Sequence, residues 1–383
     1  MIAALFPAHL PVMQVVLALL AAPVCLILRR PQAAWMIATG VTWALLAIAL
    51  ALLGHVLETG TVIYSIGGWP APWGIEYRID IASAFMLVIV TMIGSAVMPY
   101  ARASVEAEIE EPRIYLFYCM YLLNLSGLLG IAITGDVFNL FVFLEISSLS
   151  SYVMISLGRD RRALSAAYRY LIMGTLGATF YLIGVGMMYQ MTGTLNMADL
   201  AGLIPEIADT RTIQVALAFL SVGLCLKLAL FPLHLWLPNA YTYAPSAVSA
   251  FLAGSGTKIA IYAFIRILFT VINGAGIFDD FGLAQMLSGL AIVAMIGASA
   301  VAVYQTNIKR MLAYSSIAQI GYIILGISMA SVPGMTGGIV HPFNRALLKA
   351  GLFMALRCMC LLCGSVPSHR TQAPPHSTPL TSA

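Results

Sequence analysis

The chain has 383 residues, of which 61% are hydrophobic and 9% are charged, and its mean hydropathy is +0.94. A soluble domain has about 25% charged residues, so this composition excludes a water-soluble fold and predicts a multi-pass membrane protein. The net charge of +4 is small, and the cations lie in short loops or inside apolar runs. Binding to nucleic acid is therefore not expected.

About eleven apolar runs have the length of roughly 18–25 residues that spans a bilayer, which predicts an all-α polytopic membrane helix bundle. The first run has no basic segment before it and ends at Arg29 and Arg30, so we interpret it as a transmembrane helix rather than a cleaved signal peptide. The runs lie near residues 9–28, 34–57, 80–100, 113–133, 137–157, 165–190, 212–231, 244–270, 282–303, 310–330 and 335–356.

Basic loops predict the orientation of these spans. Arg29 and Arg30, the three arginines of 159–162, and the pair Lys309 and Arg310 fall on one side of the membrane. Because such loops stay cytoplasmic, the N-terminus is predicted to lie outside. The acidic loop 101–112 also falls inside, but acidic residues have little weight in this rule. The expected location is the bacterial inner (plasma) membrane.

Proline interrupts the seventh run. Residues 231–238 contain Pro232 and Pro238, and proline removes a backbone donor and clashes with the preceding turn. A broken helix is therefore predicted near Pro232, and broken helices within a membrane line wet cavities or are buried in protein. For His234, beside the break, a packing role and a functional role are both open.

Four charged residues lie deep inside predicted spans, namely Glu145, Lys227, Lys258 and Lys349. A charge at a helix centre costs about 2.5–3.5 kcal/mol on insertion scales, and such residues mark ion or proton pathways. Because both signs occur on separate helices, the sequence predicts a path for protons or cations.

Polar residues form stripes on three of the helices. The first stripe is interpreted as a water file beside Glu145, although hydroxyls can also join two helices. Arg266, at the end of the second, is expected to extend to the membrane surface, whereas Lys258 is too deep for that. For His341, near a span start, a solvated helix end is the alternative. The stripes are Glu145, Ser148, Tyr152 and Ser156, then Lys258, Tyr262 and Arg266, then His341, Arg345 and Lys349.

No cofactor and no metal are expected on this chain. Cys358, Cys360, Cys363 and His369 match no zinc or iron–sulfur spacing. Neither a G-x-G-x-x-G between strand and helix nor a P-loop occurs. The chain therefore has no expected redox site of its own, and whether it forms part of an enzyme complex is open.

Several motifs carry a resemblance. Residues 135–145, GDVFNLFVFLE, resemble the fifth helix of the proton-conducting subunits shared by respiratory complex I and Mrp-type cation/proton antiporters. Residues 227–238 are similar to that family's broken seventh helix, and 307–316 with 319–322 to its tenth. The motifs occur in the family's order, within a resemblance that runs from about residue 60 to 355. Residues 149–157 and 193–200 look most like the Mrp D subunit.

This resemblance implies a fold of about fourteen helices with two inverted five-helix repeats. Residues 1–100 would then be N-terminal transmembrane helices, 101–270 the first repeat with a proton half-channel, and 271–356 an incomplete second repeat. The different composition of residues 357–383, rich in Pro, Ser and Thr towards the end, predicts an atypical, disordered tail. The second broken helix would be missing, so the chain is expected to be an incomplete transporter that gives no net transport alone.

The resemblance also implies roles for individual residues. Glu145 and Lys227 correspond to an ion pair, Lys258 to a central relay lysine, and His341 and Lys349 to relay positions on the eleventh helix. Arg345 stands where the family usually has a histidine, which leaves that relay position in question.

Three functions compete. The leading one is a subunit of a monovalent cation/proton antiporter that works with other membrane subunits and moves protons and a cation such as sodium. The second is a proton-pumping membrane-arm subunit of an NADH-quinone oxidoreductase or membrane-bound hydrogenase. The third is a truncated fragment that transports nothing.

Overall fold

The computed structural model describes residues 9–272 and 282–362. Within them, ten helical segments are long and apolar enough to cross a membrane, and they coincide with the first ten predicted spans. The multi-pass helical fold is therefore confirmed. The helices are α1 Leu10–Leu28, α2 Pro31–Thr59, α3 Ile81–Glu108, α4 Ile114–Ile133, α5 Val137–Ser156, α6 Arg161–Thr192, α7 Met197–Ile207, α8 Arg211–Leu228, α9 Trp236–Tyr243, α10 Ser246–Gly254, α11 Gly256–Ile265, α12 Leu283–Val303, α13 Ile308–Ser328 and α14 Val332–Leu362.

The eleventh predicted span lies on α14, which is 31 residues long but is not among the ten apolar segments. The predicted tail begins too early, because residues 357–362 continue this helix. Arg357 holds the helix end, since its Nε lies 2.9 Å from Oε1 of Glu108 and both side chains are largely buried. Residues 363–383, the rest of the predicted tail, lie outside the described residues.

A short β-hairpin between α2 and α3 was not predicted. Strands β1 (Val62–Ser65) and β2 (Glu76–Ile79) pair antiparallel, with Val62 opposite Ile79. Strands of four residues are too short to show a clear period-two pattern. The 11-residue helix α7, after α6, was also not predicted, because only apolar runs long enough to cross a bilayer were counted.

The hairpin fixes the start of α5. The Gly135 amide donates to the carbonyl of Glu76 on β2 (2.9 Å), and the Gly135 carbonyl accepts from Met197 at the start of α7 (2.8 Å). Asp136 then caps α5 by accepting from the Asn139 amide at 2.6 Å, as expected of an aspartate at this position. Two of the sequence motifs, 135–145 and 193–200, therefore meet at this edge of the bundle.

The predicted break near Pro232 separates α8 from α9. Leu228 ends α8, and Ala229 takes a left-handed conformation with a φ of 61°. The Leu226 carbonyl, which the break frees, accepts from the Trp236 indole at 3.0 Å. The break therefore costs no unsatisfied carbonyl at this position.

A second interruption, at Ser255, divides the predicted span 244–270 into α10 and α11. Its last part, Arg266–Val271, is π-helical. No proline lies at either feature, so neither was predicted from the sequence. Lys258 lies in the first turn of α11, directly after the interruption.

Helices α6 and α8 pack with their backbones in contact. A Cβ added to Gly223 would lie 2.6 Å from the Gly177 carbonyl oxygen, and one added to Gly177 would lie 3.0 Å from that of Gly223. Such small residues allow close approach of membrane helices. Gly223 is one turn before Lys227, so this contact fixes the height and rotation at which α8 presents its lysine.

Candidate functional site

Lys227 and Glu145 form an ion pair between α8 and α5. Nζ of Lys227 lies 2.9 Å from Oε1 of Glu145 and donates to Oγ of Ser148 at 2.7 Å. The lysine side chain is 5% exposed and that of the glutamate 22%. The pair has the partners that the resemblance implied, and Glu145 is its less enclosed member.

A small cavity of about 30 Å³ adjoins this pair. At about 10–15 Å³ for each water by this measure, it has room for about two water molecules. Serine, threonine and tyrosine hydroxyls supply the polar partners that a buried water needs. The polar residues of the lining are Ser147, Ser148, Ser151, Tyr170, Lys227, Trp236, Tyr241 and Thr257.

Lys258 contacts Thr257, one of the residues that line this cavity. Its Nζ donates to the carbonyl of Ala253, across the interruption in the helix, and to Oγ1 of Thr257 at 3.3 Å. Thr257 lines both the first cavity and a second, smaller one. The threonine hydroxyl therefore joins the Lys227 side of the site to Lys258.

The second cavity, of about 10 Å³, brings together Lys258, Arg345 and Lys349. Lys349 is 2% exposed and donates to the carbonyl of Leu312 on α13 at 2.8 Å. None of the described residues that line this cavity is acidic. The two lysines are therefore held by carbonyl and hydroxyl oxygens rather than by a carboxylate.

His341 extends this group along α14. Its Nε2 lies 2.8 Å from Oε1 of Gln319 on α13 and 3.3 Å from Nε of Arg345. Because a guanidinium stays protonated, His341 has a permanently positive neighbour in Arg345. The predicted stripe of His341, Arg345 and Lys349 thus faces the motif residue Gln319.

His234 stands apart from the other predicted residues. Its ring stacks on Phe231 with 5.2 Å between ring centres, and it lines neither of the two cavities. Its Nδ1 is buried and has no hydrogen-bond partner among the described residues. The structure therefore shows a packed histidine beside the helix break, and a part for it in proton transfer stays a prediction.

The predicted water file on α5 is shorter than expected. Ser156 donates to the carbonyl of Val153 on its own helix (2.8 Å), and the Tyr152 ring packs edge-on against Tyr170. The hydroxyls beside Lys227 are those of Ser147, Ser148 and Ser151 instead. Because helix rotation is set by packing, the stripe through Glu145 predicted only part of this set.

Asn124 on α4 is a buried partner that the sequence reasoning missed. Its amide donates to the Ser147 carbonyl (2.5 Å) and to the hydroxyls of Ser150 (3.1 Å) and Ser151 (2.7 Å). An asparagine within an apolar span was the available signal, because buried amides require partners. Asn124 orients the serine-bearing face of α5 next to Lys227.

Within residues 9–272 and 282–362, no cluster of three histidine, cysteine or acidic residues could hold a metal ion. Cys358 is exposed. Cys363 and His369, which the sequence analysis considered as ligands, lie outside the described residues.

Residues 134–369 match the family described as NADH:quinone oxidoreductase/Mrp antiporter, TM. This match covers more than half of the chain, which therefore belongs to this family. The resemblance inferred from the motifs is confirmed.

Two relatives represent the two branches. The chain is 44% identical to the N subunit of the NADH-quinone oxidoreductase of Desulforudis audaxviator over 355 residues, which covers 90% of this chain and 69% of that protein. It is 32% identical to the D subunit of the Na(+)/H(+) antiporter of Alkalihalophilus pseudofirmus over 311 residues, or 81% of this chain and 62% of the relative.

Two solved structures share the fold. A chain of the membrane-bound sulfane sulfur reductase, an archaeal respiratory membrane complex, superposes with a TM-score of 0.85 at 32% identity, over 92% of this chain and 71% of that one. A chain of the Mrp complex from Dietzia sp. DQ12-45-1b gives a TM-score of 0.82 at 29% identity, over 91% and 64%. The chain thus spans about two thirds of the length of these relatives.

Proposed function

We propose that this chain is a proton-translocating subunit of a monovalent cation/proton antiporter complex. The observation that carries the proposal is the Glu145–Lys227 pair, whose buried lysine lines a hydroxyl-rich cavity that Thr257 joins to Lys258. Paired ionisable residues of this kind inside membranes mark proton relays. A relative at 32% identity is named as the D subunit of an Na(+)/H(+) antiporter.

In this proposal a proton reaches Glu145, the less enclosed member of the pair. Protonation of its carboxylate removes the charge that holds Lys227, so the ammonium is free to release a proton into the first cavity. Water and the Thr257 hydroxyl carry that proton to Lys258, and the second cavity passes it on to Lys349. Arg345 does not carry the proton, because guanidinium stays protonated.

The chain is a multi-pass membrane protein, and its proposed location is the bacterial plasma membrane with the N-terminus outside. The basic loops beside α1, α6 and α13 support this orientation. A cysteine introduced at exposed Arg161 tests it. Labelling by a membrane-impermeant reagent from outside the cell would reverse the assignment.

A second candidate is a proton-pumping membrane subunit of an NADH-quinone oxidoreductase or related respiratory complex. The observation that favours it is the 44% identity to a protein named as the N subunit of an NADH-quinone oxidoreductase. Both candidates use the same buried residues, so the partners distinguish them.

The test is purification of the full chain with its partners from native membranes, followed by transport measurements in vesicles. Sodium-dependent proton exchange that Lys258→Met abolishes and Ser156→Ala preserves supports the antiporter. Partners that carry flavin and iron–sulfur clusters, with proton pumping driven by NADH or another reductant, support the second candidate. Equal proton flux in wild-type and Lys258→Met complexes would contradict both and leave a subunit without a transport role.

A further inference from the structure

A third cavity, of about 200 Å³, reaches Lys258 and shares no lining residue with the first cavity. Its walls come from the first turns of α3, the end of α11 with the π-helical turn, and the first turns of α14. Because successive spans alternate in direction, these three ends belong to one face of the bundle, the face that carries the β-hairpin. The lining includes Met86, Lys258, Tyr262, Arg266, Phe269 and Ile339.

Arg266 closes the end of this cavity nearest the hairpin. It is ion-paired with Asp80, the N-cap residue of α3, and donates to Ser83 at 2.9 Å and to the Tyr262 hydroxyl at 2.7 Å. The Tyr262 hydroxyl in turn donates to the carbonyl of Ala132 on α4 (3.0 Å). The expectation that Arg266 extends to the membrane surface stays a prediction; its side chain is 16% exposed and is held by Asp80 at the hairpin end of the cavity.

We propose that this cavity is a water passage between Lys258 and the hairpin-side surface, with the Arg266–Asp80 pair as its mouth. The passage as a physical feature stands on the geometry alone. Its use as a proton route rests on the proposed function, in which Lys258 carries a proton.

Water fits this space better than a lipid tail does, because both ends are formed by charged side chains, Lys258 at one end and the Arg266–Asp80 pair at the other. At about 10–15 Å³ for each water, as in the first cavity, the volume has room for more than about ten waters. An ammonium has three N–H donors, and the described residues offer Lys258 two acceptors, on Ala253 and Thr257. A water in the cavity supplies the third.

The middle of the passage is apolar, lined by Met86, Ile265, Phe269 and Ile339. Apolar constrictions can gate by losing their water. The passage therefore has Lys258 at its inner end, an apolar middle that can lose its water, and the Arg266–Asp80 ion pair at its outer end. This arrangement restricts the passage of water and protons while Arg266 and Asp80 are paired.

Thiol labelling of the full chain in its native membranes tests the passage. All six cysteines are first replaced by alanine, and Met86→Cys is compared with Leu87→Cys. Both residues lie on the same turn of α3 with exposures of 4% and 0%, but only Met86 lines the cavity. Trp73→Cys, 87% exposed in the hairpin loop, reports which membrane face the hairpin occupies.

A charged, membrane-impermeant methanethiosulfonate should label Met86→Cys from the hairpin face about tenfold faster than Leu87→Cys, since thiol reactivity follows access. Ile339→Cys on α14 should behave like Met86→Cys. Adding Arg266→Gln or Asp80→Asn should speed both cavity cysteines several-fold and leave Leu87→Cys unchanged.

Equal rates for Met86→Cys and Leu87→Cys, or labelling of Met86→Cys only from the opposite face, would overturn the passage. A cavity filled by a lipid tail gives this result. The experiment measures water access rather than transport. A chain that labels as expected but moves no protons would therefore retain the passage and contradict the proposed function.

Discussion

Lys227 and Lys258 are both buried lysines of interrupted membrane helices, yet the fold compensates their charges differently. Lys227 faces the carboxylate of Glu145 and the hydroxyl of Ser148. Lys258 faces one carbonyl and one hydroxyl, and it shares a small cavity with Arg345 and Lys349. One region pairs opposite charges, whereas the other collects like charges around neutral oxygens.

This difference separates two tasks. If Lys227 releases its proton, the carboxylate of Glu145 is left without its positive partner. Proton release from Lys227 is therefore coupled to protonation of Glu145. If Lys258 or Lys349 releases its proton, no carboxylate in the second cavity loses a partner, and the repulsion among the three cations becomes weaker. The paired region is therefore suited to controlling proton entry, and the lysine pair is suited to passing a proton onward.

Lys227→Met should show the largest effect, with loss of both transport and stability. Removing one partner of a buried ion pair costs about 3–5 kcal/mol, and the partial exposure of Glu145 places the expected loss near the lower limit. The double variant Glu145→Gln/Lys227→Met should recover most of the stability but no transport. Thermal unfolding of the purified complexes measures this, and a double variant no more stable than the single one would contradict the pairing.

Lys258→Met and Lys349→Met should each abolish transport while changing the free energy of unfolding by less than about 1 kcal/mol. Each substitution leaves carbonyl or hydroxyl acceptors without their donor, at a cost of about 1–3 kcal/mol. It also removes a buried charge and one of three neighbouring cations, and this gain offsets most of that cost. Arg345→Met serves as a control that relieves the same repulsion without removing a proton carrier. A loss of stability like that of Lys227→Met would erase the distinction between the two regions.

Gly223→Ala should lower transport through the position of Lys227. The new Cβ would meet the Gly177 carbonyl at 2.6 Å, so α6 and α8 must separate, at an expected cost of about 1–3 kcal/mol. Gly186→Ala on α6 is the matched control, because nothing lies within 4 Å of its added Cβ. Transport and unfolding of the two variants are compared, and equal behaviour would mean that the helix contact does not position Lys227.

Ser148→Ala should have a small effect, a few-fold loss of transport. A hydrogen bond to a charged group contributes about 1.5–3 kcal/mol, but Glu145 remains beside Lys227 and compensates most of its loss. Ser156→Ala should change nothing, since its hydroxyl bonds only to its own helix. Initial rates in vesicles measure both. A larger loss of transport in Ser156→Ala than in Ser148→Ala would support the longer line of water molecules along α5 that the sequence predicted.

The mouth of the proposed passage should show no response to pH near neutrality. Burial by itself would raise the pKa of Asp80, but the hydrogen bond and charge of Arg266, with help from Ser83, outweigh burial and hold that pKa below 3.8. Because folding lowers the pKa of this carboxyl group, its charge stabilises the folded state at every pH above the pKa of the unfolded state. This stabilisation is lost only when the pH falls through the lower pKa of the folded state. The Met86→Cys to Leu87→Cys rate ratio should therefore be constant between about pH 6 and pH 8.

Local sequence signals predicted much of this molecule. Apolar length located the spans, Pro232 located the break, and the isolated charges at Glu145, Lys227, Lys258 and Lys349 proved to lie inside the helix bundle, where their role in transport stays a prediction. These signals suffice because bilayer thickness, the missing proline donor and the cost of a buried charge act on each segment by itself.

The tertiary structure decided which groups meet. Glu145 is 82 residues from Lys227, and Asp80 is 186 residues from Arg266, so no local pattern could pair them. The interruption at Ser255, the hairpin, the isolation of His234 and the joining of two cavities by Thr257 depend on how helices pack and rotate. Packing between distant segments fixes those rotations, so the sequence determined which charges are buried, and the fold alone determined what compensates each of them.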